Sequence, residues 1–172
     1  FLPHLVRNGW GRVIIISSPV AVKPPAKLGA YAIGKAAEET LLLTIAKEAA
    51  KAPLKALRNS DRFGTLSFNT GFSWIAPLQP AGNRDAISAQ IETLYAGGGT
   101  NVYVGLQAAY DALKDAPDEV KTVILLSDGI TQPADFKGLA DSMIKAGINV
   151  SAISVGVRSN KELMADIAQW GK

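Results

Sequence analysis

The chain has 172 residues, enough for one domain with a packed core. Hydrophobic residues make up 48% and charged residues 19%, a balance that fits a globular α/β protein and not a disordered one. The net charge of +3 is spread over scattered lysines with no Lys/Arg run, so no nucleic-acid partner is expected. The lack of cysteine excludes disulfides and thiolate chemistry, and a single histidine, His4, excludes a multi-histidine metal site within one chain.

In chain order, residues 1–9 carry an apolar face of Leu2, Leu5 and Val6 and read as a helix broken by "NGWG". Residues 12–17, "RVIIIS", form a continuous β-branched run. Such a run predicts a strand buried on both faces, as in a parallel sheet. After the Pro-rich "PVAVKPP", an Ala-rich helix is expected from about Gly29 to Lys51, ended or kinked by Pro53, with "LKALRN" adding one further turn or two. Residues 62–69 and 72–77 flank "NTG" and read as an antiparallel hairpin. Residues 83–95 form a helix with Asn83 as its cap, and residues 102–115 form a second one after the tight "AGGGTN" loop. The run "KTVILLS", 121–127, is a second buried strand. A helix over 135–146 closes on Gly147, a third buried strand covers 148–156, and a last helix covers 160–170. The longest apolar runs, "VIII" and "LLLTIA", are far too short to span a membrane.

Buried strands alternating with helices predict one three-layer α/β/α domain over residues 1–172. It is Rossmann-like, with a mostly parallel sheet and the antiparallel hairpin at one edge. In such sheets ligands bind beyond the carboxyl ends of the strands, where the strand order reverses. The loops in question are "SSPVAV", "SDGITQP" and "GVRSN", joined by "GGGTN". Each also has a plain reading: "SDG" is a good turn, and in "GGGTN" Thr100 or Asn101 can cap the following helix. Trp10, Trp74 and Trp170 read as core or edge packing, with Phe72 and Trp74 on the hairpin as a candidate sticky surface.

Residues 1–49 resemble the catalytic segment of short-chain dehydrogenases/reductases, through "FLPHLVRNGWGRVIIISS" and "YAIGKAAEETLLLTIAKEA". The resemblance implies a catalytic set of Ser18, Tyr31 and Lys35. Ser18 would orient a carbonyl and Tyr31 would act as acid/base. Lys35 would bind the nicotinamide ribose and lower the tyrosine pKa, as a nearby cation does. Tyr31 and Lys35, four apart, share a helix face. The chain lacks the Gly-rich strand-turn-helix loop that holds a dinucleotide pyrophosphate, so NAD(P) binding is expected only with a nucleotide-binding half that would precede Phe1.

Residues 50–172 resemble a von Willebrand factor A domain, through "LKALRNSDRFGTLSFNTGFSWIAPLQP", "GGGTNVYVGLQAAYDAL", "KTVILLSDGITQP" and "INVSAISVGV". That family holds Mg²⁺ or a similar cation at a metal-ion-dependent adhesion site and through it binds an acidic residue of a protein partner. The resemblance assigns Thr100 and Asp128 to the site. The family's Asp-x-Ser-x-Ser element is absent, and "SSPVAV" stands in its place, so Ser17 and Ser18 would add hydroxyl ligands if this strand end takes the place of the family's.

The chain thus reads as a recombinant: a dehydrogenase-like β-α unit in place of the A domain's first one, with the domain's last strand expected beyond Lys172. The expected function is a protein-interaction module with an incomplete metal site that binds Mg²⁺ weakly or not at all. The alternatives are an inactive oxidoreductase fragment and a recombinant fold with no specific activity.

Overall fold

A computed structural model describes residues 12–17, 40–41, 43–95, 100–117, 120–155 and 159–172. Five strands form one sheet: β1 (Arg12–Ser17), β2 (Arg62–Phe68), β3 (Phe72–Pro80), β4 (Lys121–Ser127) and β5 (Ile148–Ser154), in the order β3-β2-β1-β4-β5. The β-branched run of β1 lies at the centre. It pairs in parallel with β2, Arg12 to Ser17 against Arg62 to Ser67, and with β4, Arg12 to Ser17 against Lys121 to Leu126. β5 extends the parallel set beyond β4, and β3 pairs antiparallel with β2 at the opposite edge.

Helix α1 is described over 40–41 and 43–51 and runs into a 3-10 turn, Ala52–Lys55. The other helices are α2 (Arg84–Glu92), α3 (Val102–Leu113), α4 (Phe136–Lys145) and α5 (Lys161–Trp170). Strand alternation divides the core in two. Val123 and Leu125 of β4, with Leu66 and Phe68 of β2, pack against Val102, Leu106 and Leu113 of α3, Met143 of α4 and Met164 and Ile167 of α5. Ile124 and Leu126 of β4, with Phe63 of β2, face Ala46 and Ala50 of α1 and Ile87 and Ile91 of α2 on the other side. Helices therefore cover both faces, as the three-layer expectation required. All seven residues of β4 are buried, including Lys121, whose ammonium reaches the Ala116 carbonyl at 3.2 Å.

Several expected boundaries shift. β3 runs on to Pro80 instead of stopping at 77, carrying Pro77 and two register shifts against β2. An edge strand tolerates this because a proline there gives up no ladder hydrogen bond on its outer side. α2 ends at Glu92, and Asn83 stands at its cap position without a side-chain cap bond. That end of α2 is instead tied down by Arg84, whose guanidinium donates to the Leu54 and Leu57 carbonyls and to Asn59 Oδ1. α3 ends at Leu113 and β5 at Ser154. Gly147, with φ of +72°, follows the end of α4 as expected. The helix expected over 1–9 and the first part of the 29–51 helix lie outside the described residues.

Candidate cation site at the carboxyl end of the sheet

The parallel strands leave β1 toward β2 on one side and toward β4 on the other, so the order reverses between β1 and β4. Their carboxyl ends open the crevice where a doubly wound sheet places its ligands. Ser17 ends β1 with its Cα opposite Ser67 and Leu126, one position before Ser127.

The loop after β4 is tightly built. Buried Ser127 Oγ accepts from Gly129 N at 3.0 Å, and Asp128 Oδ1 accepts from Ile130 N at 3.0 Å, a side-chain-closed turn. Val155 N donates to the Ser127 carbonyl at 3.0 Å, and Asn160 N donates to the Asp128 carbonyl at 2.6 Å. Those bonds anchor the loop to the β5–α5 connection. Gly129 has φ of +70°, and a Cβ there would stand 2.8 Å from Asn160 O, so the approach of loop to helix cap depends on this glycine.

Asp128 is half-buried. Burial is the main cause that raises its carboxyl above its ordinary pKa, while bonds from backbone N–H groups and from the Ser127 hydroxyl pull the other way. Among the described residues no cation pairs with it. A desolvated carboxylate without a counter-ion, with one oxygen committed to Ile130, is a group that a positive ligand would satisfy.

Thr100 lies half-buried in the loop that opens α3. That loop is pinned from two sides. Asn101 N donates to the Asn69 carbonyl beyond β2 at 2.7 Å, and Val102 N donates to Thr131 Oγ1 of the Asp128 loop at 3.0 Å. Of the two cap candidates it is Asn101 that caps α3, accepting from Val104 N at 3.2 Å. The loops bearing Thr100 and Asp128 are therefore joined directly, while Ser17 ends the strand next to β4. Ser18, Tyr31 and Lys35 lie outside the described residues. Among the described residues no three Asp, Glu, His or Cys side chains gather into a metal cluster. Thr131, Asn69 and Asn160 were not singled out by sequence reasoning. For Asn160 a signal existed, an Asn directly before an amphipathic run; its side chain accepts from Leu163 N.

Residues 38–172 match the von Willebrand factor type A domain, and the chain belongs to that family. Solved structures share the fold at low identity. The conserved hypothetical protein BatB from Bacteroides thetaiotaomicron aligns with a TM-score of 0.71 at 18% identity, over 94% of this chain and 86% of that one. The von Willebrand factor type A protein from Catenulispora acidiphila gives 0.70 at 23%, over 95% of this chain and 37% of that one. Proximal thread matrix protein 1 from the mussel byssus, solved with a zinc-occupied MIDAS motif, gives 0.73 at 19%, over 92% of this chain and 41% of that one.

Proposed function

We propose that this domain is a protein-interaction module whose adhesion-type cation site is reduced to one carboxylate and a few hydroxyls. The observation that carries it is Asp128: desolvated, unpaired among the described residues, and placed at the switch point of a von Willebrand A sheet. Asp128 would supply the charged ligand, with Thr100 and the β1-end serines Ser17 and Ser18 as neutral ones. When bound, a cation would offer its open positions to an acidic group of a partner. Mg²⁺ favours oxygen ligands, at least one carboxylate and several retained waters, and this donor set meets that minimum. With a single negative charge the site should hold Mg²⁺ or Mn²⁺ only at roughly millimolar concentration. The test is thermal unfolding with and without millimolar Mg²⁺ or Mn²⁺. A melting temperature that rises in the wild type but not in Asp128→Ala supports the site, and an unresponsive wild type rejects it.

A second reading concerns the segment before the family match. We propose that residues 1–49 are a dehydrogenase-like β-α unit serving as the domain's first one. Its motive is the likeness of "RVIIISS" and "YAIGKAAEETLLLTIAKEA" to the catalytic segment of that family, in a stretch that mostly precedes the family match at residues 38–172. On this reading Ser18, Tyr31 and Lys35 are inherited without a cofactor. NAD(H) and NADP(H) at submillimolar concentration should then leave tryptophan fluorescence unchanged. Saturable quenching abolished by Lys35→Ala would favour the oxidoreductase alternative.

A further inference from the structure

The two loops of the site come from chain segments far apart in sequence, and something must set their separation. We infer that Thr131 is the positioning residue of the cation pocket: its hydroxyl fixes the Thr100 loop against the Asp128 loop. This inference rests on the reduced-site reading above.

Thr131 follows Asp128 by three residues, on the same loop, whose geometry is set by the Ser127–Gly129 and Asp128–Ile130 hydrogen bonds. Its Oγ1 accepts the Val102 amide at 3.0 Å. Val102 is the first residue of α3 and is fully buried, so its N–H has no intrahelical partner and no water to turn to. A side-chain acceptor is thus required there, and only Asn101 separates Val102 from Thr100. The neighbouring amides of the same helix start are already taken up, Asn101 N by the Asn69 carbonyl and Val104 N by Asn101 Oδ1. A second contact runs parallel to the first. Tyr103 of α3 meets Phe136, the first residue of α4, edge to face with centroids 5.8 Å apart. The starts of α3 and α4 are thus packed together at Tyr103, next in sequence to the Val102 amide that Thr131 accepts.

Residues one shell out from a metal commonly change affinity about 10- to 100-fold when removed. Thr131→Val keeps the shape and deletes the acceptor; Thr131→Ser keeps the acceptor. The measurement pairs Mn²⁺ affinity, from water-proton relaxation, with hydrogen exchange of the Val102 amide, in both variants and the wild type. The expected result is a loss of Mn²⁺ affinity of roughly tenfold and faster Val102 exchange in Thr131→Val, with both restored in Thr131→Ser. Unchanged Val102 exchange in Thr131→Val overturns the clamp itself. Faster exchange with unchanged Mn²⁺ affinity overturns the positioning role and leaves the cation site standing. A wild type that does not bind Mn²⁺, with Val102 exchange still dependent on Thr131, overturns the reduced-site reading and leaves Thr131 a purely structural tie.

Discussion

Two glycines with nearly the same backbone conformation stand in opposite surroundings, and together they measure how firmly the Asp128 loop is held. Gly129 has φ of +70° and Gly147 φ of +72°. Alanine at either must adopt the left-handed region, at a cost of roughly 1–2 kcal/mol. At Gly147 nothing else among the described residues opposes it, because the nearest of their atoms to the new Cβ is Lys121 Cε at 3.8 Å, an ordinary contact with a flexible side chain. At Gly129 the Cβ would meet Asn160 O at 2.8 Å and Met164 Cγ at 2.9 Å. Met164 can adjust, but Asn160 O is backbone at the cap of α5, and the same residue's N–H holds the Asp128 carbonyl. Relieving that crowding should add about 1–3 kcal/mol, as overpacking typically does. In a domain of 172 residues each kcal/mol moves the melting temperature by about 2–4 °C. Gly147→Ala should therefore lower it by about 2–8 °C and Gly129→Ala by about 4–20 °C, with Gly129→Ala always the more damaging. Differential scanning calorimetry of both variants, in one buffer with EDTA, reads the difference. Equal losses would show that the loop yields freely at Gly129 and would remove the rigid frame proposed for Asp128.

Other outcomes follow from the same packing. Thr65 is fully buried in β2 and its hydroxyl has no hydrogen-bond partner among the described residues, so Thr65→Val should stabilise the domain by about 1 kcal/mol in denaturant titration. A destabilised variant would reveal a buried water on that hydroxyl. Asp128→Asn should raise stability at neutral pH in EDTA. The folded state raises the Asp128 pKa, so the wild type's contribution from this group is full below the unfolded pKa and is lost as pH rises through the folded one. Asparagine does not titrate, so its advantage should shrink as pH is lowered toward the unfolded carboxyl pKa; an advantage independent of pH would mean that burial of charge is not its origin.

The strands were the most legible part of the chain. "KTVILLS" is apolar throughout because both faces of β4 are covered, and its limits, 121 and 127, coincide with those expected. β3 continues past the expected limit of 77 to Pro80, and at a sheet edge Pro77 costs no pairing on its outer side. Helix ends depended on local caps, and these were mixed: Asn101 and Asp135 accept cap bonds, while Asn83 does not. Of the site, Asp128 was visible in "SDG" and Thr100 in "GGGTN". The bond of Thr131 to Val102 was not, because it joins residues 29 apart and exists only once the loop that opens α3 and the loop after β4 share one end of the sheet. The desolvation of Asp128 is equally a product of assembly, since it comes from burial in the fold.

The central claim is that Asp128 anchors a reduced cation site, and the most direct measurement is the melting temperature of the wild type and Asp128→Ala across a Mn²⁺ titration. At ten times Kd a single site adds about 1.4 kcal/mol, which corresponds to a rise of about 3–6 °C. The account predicts that rise in the wild type at about ten millimolar Mn²⁺, ten times a roughly millimolar Kd, and none in Asp128→Ala. A wild-type curve that stays flat across the titration, or an equal rise in both proteins, would contradict it.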